Sequence, residues 1–163
     1  MSETDCCFCV GKDWFRYRVG AIIIAEGYAL FAHNNQDNYY YSVGGGVHIN
    51  ECSREAVTRE VCEETGEIFG VERPLCLVEN FFDGDGLLTG YDCHTIELYY
   101  LMRSEKKREF SKKSITTGGA EEKMCWLPLD KIDEFDVRPD VVKQLVKKLP
   151  EEFVHRVNYM RGK

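Results

Sequence analysis

Three absences bound what this chain can be. No apolar stretch approaches the roughly 18 residues that a membrane-spanning helix needs; the longest, residues 19 to 25, is the length of a strand. No basic and apolar leader opens it: Met1 to Asp5 are polar and acidic, so no export signal and no membrane partner are expected, and a cytoplasmic location is. There is no excess of positive charge either, since 21 Lys and Arg face 28 Asp and Glu for a net −7. A long nucleic acid demands many neutralised phosphates and is not the expected partner, whereas a small anion carried with a metal cation is compatible. Repeats, low-complexity tracts and interdomain linkers are also missing.

What is present fits one domain, because 163 residues with 44% hydrophobic content close a single core of ordinary size. Eight cysteines are unusual, but without an export signal they should remain thiols. Cys52, Cys62, Cys76, Cys93 and Cys125 are scattered singly. Cys6 and Cys9 have a zinc-like spacing, yet no second close pair completes four ligands, so residues 1–13 read as a flexible, oxidisable head that also holds Cys7.

Residues 16 to 31 read as two strands joined at Glu26-Gly27, and residues 37 to 43 as a third ending on Gly44-Gly45-Gly46. Ser53 to Thr65 lack Gly and Pro and are followed by Gly66, which predicts a helix with a glycine stop. Leu75 to Phe82 and Thr95 to Arg103 flank Asp83-Gly84-Asp85-Gly86 as a long hairpin. From Arg103 to Ala120, six basic residues outnumber two acidic ones, leaving −11 on the remainder. That segment reads as a solvated, mobile loop or as a lid that attracts phosphate. A last strand at 124 to 129, a short helical turn and a terminal helix over 139 to 149 complete the pattern.

The helix carries the chemistry. Glu60, Glu63, Glu64 and Glu67 are spaced by three, four and seven, which places them on one face, where like charges repel by a few tenths of a kcal/mol per pair. Arg59 can pair with Glu63 and Glu55 without neutralising them all. Taken alone, such a face is the wet side of a surface helix. Three glycines upstream permit close approach of backbone to a ligand, and Glu51 adds a carboxylate at the helix entrance. A hard dication uses several oxygen ligands and bridges carboxylates to phosphate, so together these residues make a coherent phosphate and metal site.

Gly45, five residues, Glu51, seven residues, Arg59-Glu60-Val61, one residue, Glu63-Glu64, one residue and Gly66 resemble the box of the Nudix hydrolases in order and spacing. Glu67 stands where the box ends on an aliphatic residue. Val43, His48 and Asn50 replace the usual proline, glutamate and glycine. The likeness runs over residues 14–147 and leaves residues 148–163 as a C-terminal extension. It implies an α/β fold, an α/β/α sandwich with a mixed β-sheet in which the box forms a loop-helix-loop. It implies Mg²⁺ or Mn²⁺ held by Glu60, Glu63, Glu64 and the Gly45 carbonyl, with Glu51 and Gly46 supporting the loop. Glu60, Glu63 and Arg59 are the implied catalytic set.

The expected reaction is attack of water on phosphorus in a nucleoside triphosphate or a nucleoside diphosphate joined to another group. Glu60, Glu97, Glu121 and Glu122 are candidates for the proton acceptor. Arg16, Arg18, Tyr41, His48 and Phe82 are candidate substrate contacts, though strand aromatics and edge charges serve equally as sheet filler. His33, His94 and His155 show no metal spacing. A nucleotide-sensing module without catalysis and an RNA-decapping enzyme are the alternative functions. Retention of every acidic box position argues against the first, and only the basic loop offers RNA a path for the second. A monomer or a homodimer is compatible with the chain.

Overall fold

The computed structural model describes residues 3–36, 38–110, 114, 115 and 119–161. Its centre is strand β2 (Asp13–Ala25), which runs parallel to β7 (Asp92–Arg103) from Asp13↔Asp92 to Ile24↔Arg103. A tight turn at Glu26-Gly27 returns the chain as β3 (Tyr28–Asn34), and β6 (Gly70–Asp83) pairs antiparallel with β7 as the expected long hairpin. Parallel and antiparallel ladders therefore share one mixed sheet.

Alternation along β2 sorts its side chains to two cores. Val19, Ala21 and Ile23 lie under helix α1 (Ser53–Thr65) with Leu30, Val57 and Val61. Ile22 faces the other way, toward Phe31, Leu75, Val142 and Leu145 beneath helix α2 (Asp140–Lys147). Helices on both faces make an α/β/α sandwich, and each fully buried valine or leucine contributes roughly 1.5–3 kcal/mol to holding a helix down. At the entrance of α1 the Cys52 N–H donates to Glu55 at 3.3 Å, and its exit is closed by left-handed Gly66, whose N–H donates to the Cys62 carbonyl at 2.9 Å.

Several expectations need correction. The head is no loose tail: β1 (Cys7–Val10) pairs antiparallel with Asp13–Arg16 of β2, and Asp5 bridges to His48. Its alternating exposure pattern is absent because all four β1 residues are exposed, so hydropathy gave no signal for it. The third strand divides into β4 (Tyr40–Tyr41) and β5 (Val43–Gly46), with β5 turning onto β2; Asp37 lies outside the described residues. The C-terminal extension adds an edge strand, β11 (Val154–Met160), parallel to β6.

The basic segment is partly docked. Lys107 lies 3.5 Å from the Tyr28 ring centroid, Arg108 bonds Glu67 at 3.1 Å, and the Trp126 indole N–H donates to the Arg108 carbonyl at 2.9 Å. Lys112 and Lys113 lie outside the described residues. Beyond them, β8 (Ser114–Ile115) pairs with β9 (Glu121–Pro128), which itself pairs antiparallel with β3. The two-residue β10 (Val137–Arg138) pairs with β4 and leads into α2. No helix among the described residues is long and apolar enough to cross a membrane. None of the eight cysteines is in a disulfide, and no described cysteine takes part in a metal-binding group.

Candidate active site

A cleft of about 660 Å³ opens where β5, the second half of α1, the first half of β2 and the start of β9 meet. Its rim is the glycine strand. Gly44 has φ +142°, and a Cβ there would fall onto the Val19 carbonyl of the paired strand, so backbone geometry itself demands glycine. The next two glycines make room for side chains: a Cβ on Gly45 would collide with the Glu60 carboxylate, and one on Gly46 with that of Asp5.

Arg59 ties this strand to the helix. Its Nε and Nη2 donate to the two oxygens of Glu51, each at 2.8 Å, and Nη2 also donates to the Gly46 carbonyl at 2.9 Å. Nη1 donates to Glu60 at 2.6 Å and reaches Glu63 at 3.4 Å. Glu51 accepts a further bond from the His48 N–H at 3.0 Å. The Arg59 hydrogen bonds above all hold the Glu51 carboxyl down at about 2, against the opposing effect of burial. Arg59 is in turn pushed above its already high value, first by Glu51, which fixes it as a permanent cation and excludes it as an acid.

The carboxylates facing the cleft behave in the opposite way. Burial raises Glu60 despite Arg59 beside it. Glu64 stands well above the usual carboxylate range because of burial, then the neighbouring Glu122 and Glu60, with only the Gly44 N–H at 3.3 Å and Arg18 opposing. Three carboxylates from α1 and β9 thus crowd one wall of the cleft, and a bound cation would relieve them.

A model of the NUDIX domain matches residues 14–149. The chain belongs to the NUDIX family. Solved structures agree on the fold: the MutT protein from Bacillus halodurans has a TM-score of 0.61 at 18% identity, covering 81% of this chain and 80% of that one. The MutT protein from Methanosarcina mazei Go1 has a TM-score of 0.61 at 20% identity, covering 86% and 95%. The dihydroneopterin triphosphate pyrophosphohydrolase of E. coli has a TM-score of 0.59 at 16% identity, covering 82% and 95%. No curated protein matches the chain at the sequence level.

Within this NUDIX cleft, Glu60, Glu63, Glu64, Gly45, Gly46 and Arg59 all line the wall, joined by Arg16, Arg18, Tyr41, His48 and Glu122. Glu63 is exposed. Among the described residues, no three His, Cys, Asp or Glu groups stand arranged to hold a metal as they are. The donor set nevertheless fits a hard dication, since Glu60 and Glu64, both raised first by burial, offer oxygen ligands whose crowded charge a cation would offset.

Four expected residues are elsewhere. Glu67 follows the left-handed Gly66, leaves the helical face and pairs with Arg108 at 3.1 Å. Phe82 stands in register with Cys93 and Met160, away from the cleft. Glu121 does not line the cleft, because it alternates with Glu122 along β9 and so faces the other side. Glu97 is buried beneath the cleft, accepting bonds from the Tyr99 hydroxyl at 2.5 Å and the Thr95 hydroxyl at 3.2 Å. Arg59 does not meet Glu55, which is occupied at the helix entrance.

Tyr41 donates its hydroxyl to Glu122, and burial followed by this bond raises the phenol strongly. Sequence reading missed Asp5, Asn34 and Arg138, which also line the cleft. The Arg138 guanidinium sits 4.7 Å from the Tyr39 ring centroid, across the β4 and β10 pairing that joins two short, distant strands. The only available signal was the Arg-Pro pair opening the terminal helix.

Proposed function

We propose that the chain is a metal-dependent hydrolase that cleaves a phosphoanhydride bond in a nucleoside triphosphate or in a nucleoside diphosphate joined to another group. The observation that carries this reading is the pairing, within one cleft, of a crowded carboxylate wall from Glu60, Glu64 and Glu122 with the cationic Arg18. Carboxylates alone would repel the substrate. With Mg²⁺ or Mn²⁺ held by Glu60 and Glu64, and by Glu63 and the Gly45 carbonyl on the same wall, they attract it. The ion supplies neutralisation of the diphosphate and a lowered pKa for bound water.

The chain's own residues then have distinct tasks. Arg59 and Glu51 fix the glycine strand against α1, so that the Glu60 carboxylate stands beside Gly45. Glu122, which alone among Glu97, Glu121 and Glu122 lines the cleft, accepts the proton of the attacking water, while Tyr41 orients it. The water oxygen bonds to phosphorus as the bridging phosphorus–oxygen bond breaks, giving two phosphorylated products and one proton. Arg18 offers charge to the phosphates, and Tyr39 with Arg138 offers a flat surface at the other end of the cleft.

A panel of nucleotides incubated with Mg²⁺ tests the reading through release of phosphorylated product. Turnover should require the dication and fall at least about a hundredfold in Glu60→Gln and Glu64→Gln. Binding of nucleotides with no turnover of any of them would instead mark a ligand sensor.

A further inference from the structure

Asp5 lies outside the residues that match the NUDIX domain, yet it lines the cleft. Backbone bonds fix it there. The Cys6 N–H donates to the Val47 carbonyl at 2.7 Å and the Ile49 N–H to the Thr4 carbonyl at 2.9 Å, so the segment is stitched to the chain just beyond the glycine strand. Its carboxylate occupies the space that a side chain on Gly46 would need. One oxygen accepts from Arg16 Nη2 at 3.3 Å, and the other lies 3.6 Å from His48 Nε2, too far for a good hydrogen bond.

Arg16 and His48 without Asp5 would form a subsite for an anion. With Asp5 between them, the charge of Arg16 is answered inside the protein, and the cleft is offered carboxylate lone pairs in its place. The side chain is held yet remains open, with 37% of its surface exposed. Along the glycine strand the Glu64 carboxylate accepts from the Gly44 N–H, Glu60 packs on Gly45 and Asp5 packs on Gly46, so Asp5 ends the row of carboxylates on the side of Glu60 remote from Glu64. Asp5 therefore meets the part of a substrate that extends past Glu60.

We propose that Asp5 is a specificity-determining residue, which selects substrates whose non-reacting end carries hydroxyl or amino donors and turns away those that continue in a further phosphate. An ionised carboxylate accepts hydrogen bonds and donates none, and it repels a phosphate placed against it. This proposal rests on the hydrolase reading above and narrows it toward a nucleoside diphosphate joined to a sugar-like group.

The test holds the nucleobase constant. Values of kcat and KM are measured for a nucleoside triphosphate and for a nucleoside diphosphate joined to a sugar, on the wild type, Asp5→Asn, Asp5→Ala and Asp5→Glu. Dissociation constants for nonhydrolysable analogues of both nucleotides are read in parallel by calorimetry. The wild type should prefer the sugar-linked nucleotide. Asp5→Asn and Asp5→Ala should move the preference about tenfold or more toward the triphosphate, through KM and Kd, while Asp5→Glu keeps the wild-type ratio.

Equal weakening of both nucleotides, an unmoved ratio, or a wild type that favours the triphosphate would overturn the proposal. If the Kd ratio shifts but no protein turns over either nucleotide, Asp5 keeps its role and the hydrolase reading fails. If neither analogue binds any of the four proteins, both fall.

Discussion

Arg59 grips both carboxylate oxygens of Glu51 at 2.8 Å, although the two residues are eight positions apart and belong to different elements. This fork joins the loop after the glycine strand to the helix, and it is almost dry on the Glu51 side, whose side chain is 4% exposed. Because the folded carboxyl is held at about 2 against an ordinary 4.5, its contribution is complete above about 4.5 and is lost as the pH falls toward 2. The amount is on the order of 3 kcal/mol. Thermal unfolding of the wild type should therefore weaken across that acid window. Glu51→Gln should melt lower at pH 7 and show a flatter acid profile; equal slopes in the two proteins would show that the fork does not carry the acid sensitivity.

The three consecutive glycines should fail in three different ways. At Gly44 the positive φ and the Val19 carbonyl leave an alanine no way out, so Gly44→Ala should lower stability by several kcal/mol. Gly45→Ala presses only on the far end of the Glu60 side chain, which can swing aside. Its melting temperature should stay within a few degrees of wild type while turnover collapses. Gly46→Ala displaces Asp5 and should reproduce the altered nucleotide preference of the Asp5 variants. A similar stability loss at all three positions, measured by calorimetric melting, would contradict this division.

Dication uptake separates the helix carboxylates. Glu60→Gln and Glu64→Gln should each weaken Mn²⁺ binding by at least about tenfold in titration calorimetry, since each removes a charged oxygen donor. Glu67→Gln should bind as tightly as the wild type, because Glu67 lies past the helix end against Arg108. A loss of affinity at Glu67 equal to that at Glu60 would mean that the whole acidic face, and not the cleft wall, holds the ion.

The parts of the site that were legible in the sequence are those encoded locally. Glycines followed by a Gly-stopped helix with glutamates three and four apart specify a loop and one helical face, and Gly45, Gly46, Arg59, Glu60, Glu63 and Glu64 all line the one cleft. Glu67 was misplaced because ideal helical spacing was carried one residue beyond Gly66. Asp5 and Arg138 were illegible for another reason: each reaches the cleft through strand pairing between remote segments, which leaves no periodic trace in an isolated bridge or a two-residue strand. The same limit hid β11 at the sheet edge.

Glu97 and Glu122 looked alike in the sequence, and the structure gives them different work. Glu97 closes a buried chain of hydrogen bonds from Asn158 through Asn80 at 2.9 Å and Thr95 at 3.1 Å, and receives the Tyr99 hydroxyl as well. Burial works against the charge of Arg18 beside it, and Glu97 is the chief group that outweighs this. Glu97→Gln would strand that cation, at a cost of about 3 kcal/mol or more. Its melting temperature should drop by roughly 6–12 °C. Glu122→Gln keeps an oxygen for Tyr41 and removes the repulsion felt by Glu64, so it should melt at or above the wild-type temperature. Its turnover should fall about a hundredfold if it takes the proton from water. A stable but inactive Glu97→Gln beside an active Glu122→Gln would exchange the two roles, moving the proton acceptor from β9 to β7.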